Sequence, residues 1–191
     1  MKRIAISTVS ALFVATSLYG TCEYEKSGAL NISFKAYKTP LKIGVGGKFD
    51  TVKYSDNAKN ASDLKTLLTG SSVKIDTASV NSNNATRDKK LVNFFFDTMV
   101  KKGIEAKIIN VDEKNGVLTL NITMNGVSKE AQMKYVYEKD VVKAEGYIDL
   151  ADFNALASLA SINKACYELH QGKTWSDVAI GFEMPVIKSC K

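Results

Sequence analysis

Eight stretches of this chain alternate apolar with polar residues, and that period of two constrains the fold more than any motif does. Leu30, Ile32, Phe34 and Ala36 share one face of the first. The second runs from about Lys42 to Tyr54, where Gly44, Gly46 and Gly47 suit a sharp bend. Val73 and Ile75 mark the third, and Ile104, Ala106 and Ile108 the fourth. Leu118, Leu120, Ile122 and Met124 form the apolar face of the fifth, Ala131, Met133, Tyr135 and Tyr137 that of the sixth. Val142, Ala144, Gly146 and Ile148 follow, and Val178, Ile180, Phe182 and Met184 close the series. Turn residues separate several of them: Asp112 to Gly116, Asn125-Gly126 and Glu138 to Asp140.

Helical spacing interrupts the strands three times. Leu64, Leu67 and Leu68 predict a short helix with Gly70 at its C-terminal end. Asn84 reads as an N-cap, with Asp88 in the first turn at the positive end of the dipole and Leu91, Phe94, Phe95 and Met99 on one face of a helix running to about Gly103. Asp152 is the expected cap of a third helix carrying Phe153, Leu156, Leu159 and Ile162. The expected fold is therefore mainly β, an eight-stranded antiparallel lipocalin-like barrel with two or three short helices. Closure removes the sheet edges that invite aggregation, and eight strands leave room either for a filled core or for one slender ligand. Met99, Met124, Met133 and Met184 suit an adaptable apolar lining.

Residues 1–20 read as a signal peptide: Lys2 and Arg3 precede an apolar run from Ile4 to Leu18 that is too short to span a bilayer, with cleavage expected after Gly20. Thr21 stands where lipidation of Cys22 would want a smaller residue. Residues 21–191 then form one domain, expected in the periplasm or secreted, without stable membrane insertion. The leader carries no acid, so its removal lowers the formal charge from +6 to +4. Arg87 is the only arginine left and the lysines are scattered among acids, which speaks against a nucleic-acid site. His170 is the only histidine, so no zinc site of several histidines forms, and no Gly-x-Ser-x-Gly elbow is present. Arg87-Asp88 reads as a helix-start charge pair rather than a catalytic one. No cofactor and no catalytic residue is expected.

The order Ile75-Asp76-Thr77-x-Ser79-Val80-x-Ser82-x-Asn84-Ala85-x-Arg87-Asp88-x-Lys90-Leu91, followed by Phe94 to Asp97, resembles the signature of the YceI-like family. Gly47-Lys48-Phe49, the run from Asn115 to Lys129, Ala144 to Phe153 and Asp177 to Met184 match in the same order. The family often carries a histidine in its first strand and another before the Gly-Val-Thr turn; this chain has Lys26-Ser27-Gly28 and Asn125. The resemblance implies a periplasmic lipocalin-like protein that binds isoprenoid quinones, polyprenyl lipids or fatty-acid derivatives, and, since some members are dimers, a homodimer. With alternation it nominates Phe34, Phe95, Met99, Ile122, Met133, Tyr135, Phe153, Ile180 and Phe182 as lining residues. The alternative is a solid-core secreted barrel acting as a stress-related or adhesive interaction protein.

Cys22, Cys166 and Cys190 leave one bridge and one thiol in an oxidising compartment. If the first and last strands pair antiparallel, Cys22 lies beside Cys190; Cys166 with Cys190 is the competing pairing.

Overall fold

The computed structural model describes residues 21–191, so the leader read from residues 1–20 lies outside the described residues. Twelve strand segments and four α-helices follow in chain order. The strands are β1 (Cys22–Lys26), β2 (Asn31–Lys38), β3 (Ile43–Phe49), β4 (Val52–Ser55), β5 (Asn60–Ala61), β6 (Ser72–Ile75), β7 (Val80–Asn81), β8 (Ile104–Asp112), β9 (Val117–Met124), β10 (Val127–Glu138), β11 (Val141–Asp149) and β12 (Thr174–Cys190). The helices are α1 (Leu64–Leu68), α2 (Ala85–Phe94), α3 (Leu156–Ala165) and α4 (Tyr167–His170).

All pairings are antiparallel, and the main sheet runs β4-β6-β8-β9-β10-β11-β12-β2-β3-β7. Its two ends meet in one stretch of chain. The expected second strand, Lys42 to Tyr54, breaks at Asp50-Thr51: β3 pairs with β2, whereas β4 pairs with β6. The backbone at the break is held by Ser79 O, which accepts from Asp50 N at 3.0 Å, and by Thr51 O, which accepts from Asp76 N at 3.1 Å. Counting β3 and β4 as one bent strand recovers the eight expected strands curled into a barrel. The surplus segments are β1 and the two-residue bridges β5 and β7, too short or too charged to stand out by alternation.

β12 is longer than its apolar stretch predicted, because its last part has a different neighbour. Asn31 to Lys38 pair with its first part, and beyond Pro185 it pairs with β1, in register from Lys26 opposite Val186 to Cys22 opposite Cys190. Pro185 lacks an N–H donor and sits where the chain passes from one partner to the other; its carbonyl accepts from Ser27 N at 2.9 Å. Cys22 and Cys190 are joined by a disulfide, and Cys166 is a buried free thiol.

The helices depart from expectation at their ends. α1 is capped by the Asp63 carboxylate on Thr66 N, and Gly70 follows it at φ +90°. Asn84 caps α2 by accepting from Arg87 N at 2.9 Å, but α2 stops at Phe94, well short of Gly103, and a 3-10 turn at Phe96–Thr98 follows. The early stop turns Phe95 and Phe96 into the core and leaves Phe94 exposed. Asp152 caps nothing: Asp149 accepts from Ala151 N to start a 3-10 turn at Leu150–Phe153, Asn154 then takes the left-handed conformation at φ +54°, and α3 begins at Leu156. The break buries Phe153 while Leu156 remains exposed.

A cavity under the helical cap

The two ends of the barrel are packed differently. At the end where β12 finishes, Val111, Leu118, Val142 and Val186 are fully buried, α1 adds Leu67 and Leu68, and the ring of Tyr24 on β1 meets that of Tyr137 edge-on at 5.7 Å. That end is solid and carries the disulfide. Toward the other end the inward faces of β2, β8, β9 and β12 bound a cavity of about 250 Å³. Ile104, Ala106, Ile122, Ile148, Val178 and Ile180 form its wall, and α2 and α3 cover it with Leu91, Leu159 and Ile162.

Aromatic side chains make one continuous seam along this space. Phe34 and Phe49 have ring centroids 5.5 Å apart, Phe49 and Phe96 are 6.0 Å apart, and Phe96 and Phe95 5.1 Å apart, a chain of tilted and edge contacts running from β2 through β3 to the end of α2. All four line the cavity. Gly47 makes the seam possible: a Cβ there would stand 2.6 Å from the Phe34 ring, so any side chain would push the ring out of place.

The cap is tied down by polar junctions. Asn125, at φ +53° in the two-residue β9–β10 turn with Gly126, accepts from Val100 N at 2.7 Å and donates to Phe153 O and Asn154 O at 3.1 Å each. One side chain thereby joins the segment after α2 to the turn before α3. Ser82 is gripped from both sides: Arg87 donates to its hydroxyl at 2.7 Å and to its carbonyl at 2.6 Å, while the Asp88 carboxylate accepts from its N–H at 3.0 Å and from its hydroxyl. Arg87 and Asp88 thus share Ser82 instead of forming the direct charge pair expected of them.

His170 borders the cavity from the end of α4. Thr174 Oγ1 donates to Asn163 Oδ1 at 2.8 Å, which leaves it to accept from His170 Nδ1 at 3.0 Å and sets the proton of the neutral ring on Nδ1. Burial, then the positive charges of Lys38 and Lys90, hold the His170 pKa below its ordinary value. Trp175 donates its indole N–H to Thr39 O at 2.9 Å, and the Lys173 ammonium lies 4.6 Å from its ring centroid.

Of the nine nominated lining residues, Phe34, Phe95, Ile122, Met133, Ile180 and Phe182 border the cavity, and Met99, Tyr135 and Phe153 do not. Tyr135 is buried on the correct face of β10 but lies opposite Ala144, toward the solid end. Met99 and Phe153 are buried beside the Asn125 junction, in the layer that fastens the cap. Alternation reads the face of a strand and is blind to position along the barrel axis, which is why it nominates Tyr135. The contributors from α2 and α3, Arg87, Lys90, Leu91, Leu159 and Ile162, and Cys166 between α3 and α4, escape because no strand pattern reports them. The i, i+3, i+4 spacing of Arg87, Lys90 and Leu91 was the available signal.

A family model for the YceI-like domain matches residues 25–186. The chain belongs to the YceI-like family. Solved structures agree with the fold. BcnA of Burkholderia cenocepacia is 13% identical with a TM-score of 0.57, over 83% of this chain and 96% of that one. A polyisoprenoid binding domain from Saccharophagus degradans, implicated in plant cell wall breakdown, is 13% identical with a TM-score of 0.55, over 88% and 98%. The YceI protein of Campylobacter jejuni is 22% identical with a TM-score of 0.51, over 77% and 85%. No curated protein sequence matches the chain. Within the family pattern, Asn125 fills the place before the Gly-Val turn with a side chain that fastens the cap.

Proposed function

We propose that this YceI-like protein is a non-enzymatic carrier or scavenger that holds the apolar part of a long-chain amphiphile inside the barrel. The observation that carries the reading is the cavity of about 250 Å³ under the helical cap, bounded almost wholly by aliphatic and aromatic side chains. A space of that size suits one slender chain, and each methylene taken out of water contributes about 0.8 kcal/mol before ordering costs. The solid-core alternative is disfavoured by the same cavity. Catalysis has little to work with: the His170 Nδ1 proton is committed to a loop-anchoring chain, and no acid borders the space among the described residues. Isoprenoid quinones, polyprenyl lipids and fatty-acid derivatives are the ligand classes proposed, in line with the polyisoprenoid binding stated for the Saccharophagus degradans domain. We place the mature protein in the periplasm or outside the cell, a reading supported by the leader pattern and by the Cys22–Cys190 disulfide.

Native mass spectrometry of protein purified from its own periplasm tests the proposal. An amphiphile should co-purify at one per chain; protein that is always empty and takes up neither quinones nor fatty amides would rule the carrier out.

A further inference from the structure

All the charge that borders the cavity has one sign. No Asp or Glu is among its lining residues, whereas Lys38, Arg87 and Lys90 are, with His170 beside them. The four come from three elements, β2, α2 and α4, and border the cavity at its capped end. Lys38 ends β2, opposite Thr174 in the strand pairing. Arg87 and Lys90 are three apart on α2 and so share a face. The Lys90 ammonium reaches Ala165 O, at the end of α3, at 3.4 Å. His170 ends α4, and its ring bonds Thr174 Oγ1 at 3.0 Å, on the residue opposite Lys38 in the β12–β2 pairing. All four side chains are half-buried.

None of the three cations has a carboxylate partner within 4.0 Å among the described residues. The nearest candidate by sequence, Asp88, is turned onto Ser82. Arg87 spends Nε and Nη2 on Ser82, which leaves its other terminal nitrogen free to donate. Three half-buried cations without a carboxylate partner border one apolar space, and an anion placed there gains charge-assisted hydrogen bonds that the protein itself does not supply.

We propose that the ligand carries an anionic headgroup, a carboxylate or a phosphate monoester, which sits among Lys38, Arg87 and Lys90 while its chain runs into the barrel. The proposal rests on the carrier reading above and adds selectivity to it: among chains of equal length, the site prefers the charged end.

Exported protein stripped of lipid and loaded with the neutral probe diphenylhexatriene separates the two readings by displacement. Palmitate is compared with palmitamide, and hexadecyl phosphate with hexadecanol, at a pH where the acids are ionised. Each anion should displace the probe at a concentration about tenfold or more below its neutral counterpart, a difference that shrinks as salt screens the rim. Lys38→Gln and Lys90→Gln should each reduce the preference severalfold, with a melting temperature close to that of wild type reporting that the variants are folded. The stronger of the two anions identifies the headgroup class. Equal displacement by charged and neutral chains overturns the headgroup proposal and leaves the carrier intact, as does a preference indifferent to salt and to both variants. Failure of every chain to displace the probe overturns both.

Discussion

The two ends of this barrel are built from the same strands and packed to opposite purposes. At the β12 terminus the inward side chains meet, α1 seals them and Cys22–Cys190 locks the margin. At the capped end the same alternation continues through Ile122, Ile180 and Ile148, yet the side chains face a space instead of each other. Two helices cover that space without filling it. The difference teaches that a period of two specifies which residues point inward and leaves open whether they meet; what lies at the strand ends decides that. A disulfide and a three-leucine helix make one end rigid, whereas a cap fastened by Asn125, Ser82 and Thr174 leaves the other hollow and accessible.

Substitutions should separate the ends in stability before they do so in binding. The largest effect is expected at the solid margin. Cys22→Ser with Cys190→Ser opens a link spanning 168 residues and should cost about 5 kcal/mol, read as a fall in the denaturation midpoint, with chain uptake by the folded fraction unchanged. Loss of uptake in a still-folded double variant would show that the ends are coupled.

Next come paired truncations on β9. Leu118→Ala, from a fully buried side chain at the solid end, should cost about 3–4 kcal/mol, while Ile122→Ala, two turns of the pleat further toward the cavity, should cost about 2 kcal/mol, because its wall already lacks contacts on one side. Equal costs in denaturant titrations would mean that the capped end is as tightly packed as the other.

The smallest effect concerns pH. Folding lowers the His170 pKa, through burial first and then Lys38 and Lys90, so the unfolded chain takes up the proton first. This contribution leaves stability intact above the ordinary value of 6.5, erodes it as pH falls through 6.5, and levels off once the folded form is also protonated. His170→Gln should flatten that part of the melting-temperature profile, and an unaltered acid slope in the variant would refute the assignment.

The wall of the barrel was legible because each strand repeats one rule: Phe34, Ile122, Ile180 and Phe182 are where alternation puts them. The Asn125-Gly126 turn and the Asn84 cap were equally readable, since their side chains act on their own neighbourhood. The antiparallel pairing of the chain ends placed Cys22 beside Cys190. What escaped is long-range. The break at Asp50-Thr51 depends on carbonyls and amides from residues 76 to 79, and the end of α2 on how Phe95 and Phe96 find the core. Asp152 looked like a cap but yielded to Asp149, because Asn154 turns the backbone before a helix can start. The cationic rim was the hardest to foresee, since Lys38, Arg87, Lys90 and His170 are drawn from β2, α2 and α4 and border one space only in the folded cap.

The central claim, that the capped end holds an apolar chain, is tested most directly by filling it. Ala106 lies on the cavity wall between Val73 and Ile122 in the strand pairing, so Ala106→Trp sets an indole in the proposed path of the ligand. Uptake of a long-chain probe, titrated into wild type and variant at equal concentration, should fall by about tenfold or more, with the melting temperature of the empty protein held or raised. Unchanged uptake by a folded Ala106→Trp variant would contradict the account.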